Sequence, residues 1–128
     1  MSDELERAAA VLGPLEGRIM RALWSGTVTE PFVVRAVQVL MPELAYTTVM
    51  TTLRRLADKG LLASSAEAGQ RAHHYRVAQS PAEFLAAASA QETSRFVERF
   101  GDAALAAFAA KLGDLTPEQR KRLEDLRG

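Results

Sequence analysis

The residues best suited to chemistry lie in the stretch 45–62, where hydroxyl, thioether and guanidinium groups recur at helical spacing. At ~3.6 residues per turn, Val49, Leu53 and Leu56 form one apolar stripe that can dock on a core. The opposite face is almost free of acids, since Asp58 near its end is its only carboxylate. Such a face can lie against the phosphates and base edges of DNA. The groups that it offers belong to Tyr46, Thr47, Met50, Thr51, Arg54 and Arg55.

The residues of this helix alone leave two interpretations open. The helix could read DNA through its acid-poor face. It could also be a threonine-rich core helix whose arginines are simply solvated. The flanking segments bear on the choice, because a reading helix needs neighbours that present it.

The segments before this helix predict two further helices that would position it. The first is expected over 14–25, because a proline opens it and Gly26 ends its apolar periodicity. The second is expected to have Pro31 in its opening turn and to end at Pro42. The link to the third helix is short, so the second and third helices must be neighbours at a steep angle, as in a helix-turn-helix. Residues 1–11 are expected to be frayed or weakly helical.

The segment after this helix changes from helical to extended patterning. Gly60 ends the helix, and a β-hairpin is predicted over 62–66 and 72–77, with a glycine-containing turn between its arms. The hairpin places Arg71 near its tip, within reach of a phosphate backbone, and His73 beside it is a further candidate. The predicted fold class is therefore mainly α with a small β-hairpin: a winged helix-turn-helix followed by further helices.

Two capping boxes organise the C-terminal part of the chain. Ser80 and Glu83 open a helix expected over 81–99, a second follows over 103–112, and Thr116 opens the last. Three short alanine-rich helices cannot easily hide their large apolar residues, and a second copy of the chain is the economical cover. The alternative is that these helices fold back on the winged domain. The dimerisation candidates are Phe84, Leu85, Phe96, Val97, Phe100, Leu105, Phe108, Leu112, Leu123 and Leu126.

The predicted organisation is thus a winged-helix DNA-binding domain over 1–79 and a helical dimerisation domain over 80–128. Formal net charge is zero, so the field of the whole protein will not draw nucleic acid to it. Positive charge is instead local, with five basic against two acidic side chains over 45–78.

Catalytic and metal-binding functions are not expected. Zero cysteines exclude disulfides and thiolate sites. His73 and His74 are adjacent, so on a strand they point to opposite faces and cannot jointly hold a metal ion. No phosphate-binding, nucleophile-elbow or zinc motif is present. The sequence predicts a protein without enzymatic activity, metal or cofactor. No apolar run reaches the ~20 residues that span a bilayer, so a soluble cytoplasmic protein without membrane insertion is expected.

Four stretches resemble the penicillinase-repressor (BlaI/MecI) family of winged-helix transcriptional regulators. They are LEGRIMRALW at 15–24, AYTTVMTTLRRLADKGLL at 45–62, HYRV at 74–77 and GDLTPEQ at 113–119. The resemblance covers about 12–127, and its middle motif is rather specific. It implies a homodimeric repressor that binds a dyad-symmetric double-stranded operator, with the C-terminal helices supplying the dimer.

The chain departs from this family in two respects. Relatives that respond to β-lactams are inactivated when a membrane sensor's protease pathway cuts an Asn-Phe bond in the dimerisation helices. This chain has Ala107-Phe108 at the corresponding place and no asparagine anywhere, so a partner sensor protease is left unassigned. Copper-responsive relatives carry C-terminal cysteines, which are absent here.

Two other functions remain compatible with the residues. A winged-helix module could dock an acidic protein partner without any operator specificity, which the neutral overall charge favours. A regulator could also sense a ligand in a pocket between the C-terminal helices, although no polar cluster there argues for one.

Overall fold

A computed structural model describes residues 3–65 and 73–127 of the chain. Within these ranges the chain is mainly helical with one two-stranded antiparallel hairpin, so the predicted fold class is confirmed. The chain divides into two compact units, Met1–Ala87 and Ala88–Gly128. The elements are α1 (Asp3–Leu12), α2 (Pro14–Trp24), α3 (Val34–Leu40), α4 (Tyr46–Asp58), β1 (Leu62–Ser65), β2 (His74–Val77), α5 (Pro81–Phe100), α6 (Asp102–Gly113) and α7 (Pro117–Arg127).

Residues 1–11 were expected to be frayed or weakly helical; Asp3–Leu12 form the helix α1, which is not frayed and packs against α2. Small residues make this packing possible. Ala8 and Ala9 are buried, and a Cβ added at Gly17 would lie 2.2 Å from the carbonyl oxygen of Ala9. The Arg21 guanidinium donates to both carboxylate oxygens of Glu6, at 3.0 and 3.2 Å. A close approach of two backbones therefore replaces the large apolar contacts that the sequence lacks here.

The core of the first unit lies where α2, α3 and α4 meet under the hairpin. The predicted α4 stripe is confirmed, since Val49, Leu53 and Leu56 are all fully buried. Thr52 is buried with them, and its hydroxyl donates to the carbonyl of Thr48 at 2.8 Å, so it is satisfied without a partner outside the helix. The whole core cluster comprises Ile19, Met20, Leu23, Phe32, Val34, Val37, Met41, Val49, Leu53, Leu56, Leu61, Leu62 and Tyr75.

The second helix begins later than predicted. We expected Pro31 in its first turn, but α3 starts at Val34, its N-cap Val33 is extended, and Pro31 lies in a bend. Phe32 instead forms a β-bridge to Tyr75, with N–H···O distances of 2.9 and 2.8 Å in the two directions. The two rings also stack, with centroids 6.0 Å apart. Burying Phe32 against the hairpin in this way requires extended backbone at the place where proline favoured a helix.

The hairpin is an antiparallel pair in the register Leu62↔Val77, Ala63↔Arg76, Ser64↔Tyr75 and Ser65↔His74. The predicted pairing of these segments is confirmed for residues 62–65 and 74–77. The predicted tip, including Gln70 and Arg71, lies outside the described residues. Three helices with this hairpin after them make the first unit a winged helix.

Both predicted capping boxes are present. The Ser80 backbone N–H donates to Glu83 Oε1 at 2.9 Å, and the Glu83 N–H donates to Ser80 Oγ at 3.1 Å. Thr116 and Gln119 make the same reciprocal pair at 3.0 and 3.1 Å. These boxes satisfy helix-end donors locally, which is why the starts of α5 and α7 were predictable. Within the described ranges, no helix is both long enough and apolar enough to cross a membrane.

Candidate nucleic-acid interface

The outward face of α4 carries two parallel rows of candidate residues. Tyr46, Met50 and Arg54 form one row at spacing i, i+4, i+8, and Thr47, Thr51 and Arg55 form the other. Five of these six side chains are exposed, and Tyr46 keeps 42% of its surface open. Met50 differs, because it is half-buried and packs against the core.

The threonine row lies beside the start of α2. Thr47, Thr51 and Arg55 line a shallow open depression of about 290 Å³ together with Leu15. Thr48 and Thr52 complete its lining. This surface offers hydroxyl and methyl groups side by side, with a guanidinium at one end. It suits contact with both polar and methylated edges of a base.

Arg54 of the tyrosine row acts electrostatically on the wing strand β2. Burial raises the pKa of the Tyr75 phenol, and the nearby positive charge of Arg54 acts against that shift. The residues that line the depression beside Leu15 include Arg55 but not Arg54.

Arg54 and Arg55 form no ion pair with any residue that the structure describes. Other cations of the first unit do: Lys59 Nζ lies 2.6 Å from Glu16 Oε1, and Arg18 pairs with Glu43. The guanidinium groups of α4 are therefore not neutralised by any carboxylate that the structure describes. The ion pairs among the described residues are Arg18–Glu43, Arg21–Glu6, Lys59–Glu16 and Arg95–Glu92.

The N-terminus of α4 is also open. Its N-cap is Ala45, which makes no side-chain hydrogen bond to the first turn, and that turn contains no acid. The Thr48 N–H of this turn already donates to the Ala45 carbonyl at 3.1 Å, so the amides that can meet a phosphate are those of Tyr46 and Thr47, at the end where the helix dipole favours negative charge. In the preceding turn the Leu44 N–H donates to the Met41 carbonyl at 2.9 Å, and Gln38 Nε2 makes a longer contact of 3.4 Å to the Leu44 carbonyl. Glu43 in the same turn has a lowered pKa, chiefly from a backbone hydrogen bond at Glu43 and then from the Arg18 guanidinium.

The C-terminal end of α4 is fixed by a Schellman motif. Gly60 adopts φ +85°, which glycine accepts without steric cost. The Leu61 N–H donates to the Leu56 carbonyl at 3.0 Å, and the Gly60 N–H donates to the Ala57 carbonyl at 3.0 Å. Both ends of the helix are thereby positioned, and its outward face is presented as a rigid surface.

The two wing histidines differ in their surroundings. His73 is exposed, and its ring centroid lies 6.4 Å from that of Tyr75. His74 is half-buried, and its Nδ1 is buried without a hydrogen-bond partner. In the part of the chain that the structure describes, no three His, Asp or Glu residues come close enough to hold a metal ion.

The wing carries an exposed cation, Arg76, that was not predicted as an interface residue. Arg76 is exposed on β2 between the buried Tyr75 and the half-buried Val77. It makes no ion pair with a described residue. Strand alternation could have identified it, because a buried Tyr75 requires an outward Arg76.

The dimerisation candidates fall in different environments. Phe84 packs on Trp24 in the first unit, with ring centroids 6.3 Å apart. In the second unit Phe96 contacts both Phe100 and Phe108, at 5.2 and 5.3 Å between centroids. Phe100 is 50% exposed and Phe108 38% exposed. Leu105, Leu112 and Leu126 are also exposed, whereas Leu85, Val97 and Leu123 are half-buried.

An apolar cleft of about 300 Å³ lies in the second unit. Leu112, Leu115, Leu123 and Leu126 provide most of its lining, with Gln119 and Arg122 at its edges. Together with the exposed Phe100 and Phe108, this cleft places several large apolar side chains at the surface of the second unit.

Residues 12–127 match the family model described as penicillinase repressor. Two curated relatives, each named transcriptional regulator BlaI, come from Mycobacterium tuberculosis strains CDC 1551 / Oshkosh and ATCC 25618 / H37Rv. Each is 48% identical over 67 residues, which covers 50% of this chain and 46% of the relative. The chain therefore spans about half the length of the curated relatives that it matches.

Solved structures of transcription regulators are also similar. MepR, a regulator of the Staphylococcus aureus multidrug efflux pump MepA, gives a TM-score of 0.46 at 16% identity, covering 96% of this chain and 84% of its own. The transcriptional regulator SlyA gives a TM-score of 0.40 at 13% identity, covering 95% of this chain and 82% of its own.

Proposed function

Because the chain belongs to the penicillinase repressor family, we propose that it is a dimeric, sequence-specific DNA-binding repressor that occupies a dyad-symmetric operator. One observation carries the proposal. The outward face of α4 holds two guanidinium groups without a described ion pair, together with an uncapped and acid-free N-terminus. A helix that served only the core would not need such a face.

Bases would be read by the two rows of α4. Arg54 can present its fork to O6 and N7 of a guanine, a contact worth about 1–3 kcal/mol of discrimination. The methyl groups of Thr47 and Thr51 suit thymine methyls, and so does the thioether end of Met50 where it is exposed. Tyr46, exposed at the first position of α4, can contact a base or a nearby phosphate.

Phosphates would be held by groups that carry little sequence information. Arg55, the N-terminus of α4 and His73 are the candidates within the described residues, and Arg71 of the predicted wing tip is the other. Such contacts fix the register of the protein on the duplex and make its affinity depend on salt.

A second copy of the chain would supply the other half of the reading surface. The exposed phenylalanines and leucines of the second unit support this arrangement, because association would remove them from water. Two copies related by a two-fold axis read half-sites about one helical turn apart, roughly 10 base pairs. Bound across a promoter, the dimer would block polymerase.

Selection from a pool of random duplexes tests this function. We expect enrichment of an inverted repeat, with affinity for the selected duplex well above that for random DNA and with both affinities falling as salt rises. A module that docks an acidic protein instead would enrich no motif and show no salt-dependent affinity for DNA. That outcome would remove the proposal and leave the protein-binding alternative.

A further inference from the structure

The segment between the wing and α5 is bonded to the first unit at successive residues. The Val77 N–H donates to Glu30 Oε2 at 2.5 Å, and the Ala78 N–H donates to the Leu61 carbonyl at 2.9 Å. One residue further, the Gln79 carbonyl accepts from a side chain of α2, at a distance of 2.8 Å. Each residue of this short segment therefore makes a hydrogen bond to the first unit before the capping box of α5 begins.

Trp24 is the side chain that closes this connection. Its indole Nε1 donates the 2.8 Å hydrogen bond to Gln79, and its ring packs on Phe84 at 6.3 Å between centroids with the planes tilted by 42°. Phe84 itself packs against the core cluster. One residue at the end of α2 thus holds both the linker and the first turn of α5.

α5 begins in the first unit and continues into the second, since the division between the units falls at Ala87–Ala88 inside Pro81–Phe100. The first turn of α5 belongs to the first unit, which contains the candidate reading helix α4. The later turns of α5 contain residues proposed to face a second copy. In a dimer held by those later turns, the attachment of the first turn of α5 to the first unit would govern where the two α4 helices can lie.

We propose that Trp24 is a positioning residue that fixes the start of α5 on the winged helix and thereby sets the half-site spacing that the protein accepts. The inference rests on the proposed function, because spacing has meaning only for a dimer on a dyad operator. One inserted base pair turns a half-site by about 34° and moves it by ~3.4 Å. If the start of α5 is held firmly on the first unit, the dimer cannot follow a displaced half-site and binds the altered operator more weakly. If the start of α5 is loosely held, the dimer can follow the displacement.

The test compares Trp24→Phe with the wild type on three duplexes: the selected operator, the same operator with one base pair added, and a single half-site. Phenylalanine keeps a ring against Phe84 but lacks the N–H that reaches Gln79. We expect the wild type to prefer the selected spacing by about tenfold or more, and Trp24→Phe to reduce that preference to about threefold. Affinity for the single half-site should stay within about twofold, since the variant leaves α4 untouched.

Ser25→Ala is the matched control. Its hydroxyl donates to the Arg21 carbonyl at 2.7 Å, so the control removes a hydrogen bond from the same end of α2 without touching the linker. It should keep the wild-type spacing preference. A folded Trp24→Phe that also keeps the full preference would overturn the inference. A wild type that selects no operator would instead remove the proposed function.

A second variant covers the case in which Trp24→Phe does not fold. Phe84→Leu keeps an apolar side chain but removes the ring that contacts Trp24, and it should also relax the spacing preference. The hydrogen bond can be tested in the wild type by exchange of the single indole N–H, because the chain has one tryptophan. Slow exchange supports the anchored linker, and exchange as fast as that of a free indole contradicts it.

Discussion

Neighbouring arginines on α4 serve different surfaces. The charge of Arg54 acts on the Tyr75 phenol of β2, whereas Arg55 lies in the row that lines the threonine depression beside Leu15. Because one helical step separates them by about 100°, they cannot approach the same base pair in the same way. Their loss should therefore have different consequences.

Arg54→Ala should weaken binding to the selected operator more than binding to random duplex. The lost fork to guanine corresponds to about 1–3 kcal/mol, or roughly five- to 150-fold in the ratio of the two dissociation constants. Titrations on both duplexes at one salt concentration measure that ratio. Arg95→Ala, an exposed arginine paired with Glu92, is the control and should leave both constants unchanged. An equal loss on both duplexes would show that Arg54 does not read bases.

Arg55→Ala should weaken binding to every duplex by a similar factor. A lost phosphate contact reduces the slope of log affinity against log salt by about 0.9 in magnitude. Arg55→Lys keeps the charge and should keep the slope. If the slope of log affinity against log salt does not change in Arg55→Ala, Arg55 contacts no phosphate and remains exposed to solvent.

At the scale of elements, packing of small residues decides whether α1 stays in place. Gly17→Ala puts a Cβ against the Ala9 carbonyl oxygen, where only 2.2 Å is available, so α1 must move away from α2. We expect the free energy of unfolding in urea to fall by about 1–3 kcal/mol. Gly113→Ala is the control, because a Cβ there meets nothing within 4 Å. Equal stability of the two variants would mean that the α1–α2 contact contributes nothing.

The capping box of α5 should give stability that depends on pH. The hydrogen bonds from the Ser80 backbone and hydroxyl lower the pKa of Glu83 below its ordinary value of 4.5. A carboxyl whose pKa is lower in the folded chain stabilises it above the unfolded pKa, and that stabilisation is lost as pH falls through the folded pKa. Glu83→Ala should therefore destabilise the protein at pH 7 and have a smaller effect in acid below the folded pKa.

Thermal unfolding of Glu83→Ala and of the wild type at neutral and acid pH measures this difference. Glu83→Gln is the matched variant, since an amide can accept the same backbone N–H without titrating. It should unfold with less change between the two pH values than the wild type. If the difference in unfolding temperature between the wild type and Glu83→Ala were the same at both pH values, protonation of Glu83 would not control the stability given by this capping box.

Local signals made most elements predictable, and non-local contacts account for the misses. The α4 stripe of Val49, Leu53 and Leu56 follows from spacing within one helix, so the sequence predicts it directly. The bridge between Phe32 and Tyr75 joins distant parts of the chain, and no local rule reveals it. The candidate DNA-reading face of α4 likewise follows from residue spacing within one helix. The ion pairs that occupy other cations and leave Arg54 and Arg55 open depend on the fold.

At the scale of the whole molecule, charge and apolar surface have different distributions. Net charge is zero, and ion pairs among the described residues of the first unit occupy Arg18, Arg21 and Lys59 but neither arginine of α4. Among the described residues, five of the nine exposed large apolar side chains lie in the shorter second unit, where Leu126 keeps 85% of its surface open. Local charge would thus give the protein its DNA contact, and local apolar surface would give it a partner copy.

Leu126→Asp should weaken self-association with little effect on the single chain. A side chain so exposed contributes little to folding, but in a dimer it would be buried, and an unpaired carboxylate there is costly. We expect the dimer dissociation constant from sedimentation equilibrium to rise by about tenfold or more. Val39→Asp, at a residue 70% exposed in the first unit, is the control and should associate as the wild type does. Identical association in all three proteins would exclude Leu126 from the interface.

The position of the single tryptophan has an optical consequence. Trp24, the last residue of α2, lies half-buried against the start of α5, and its indole N–H donates to the Gln79 carbonyl. Indole emission shifts to longer wavelength when water reaches the ring, and no other residue of this chain emits in the same range. The native protein therefore carries a fluorescent reporter of its own junction, which can be followed during DNA titration without attaching a label.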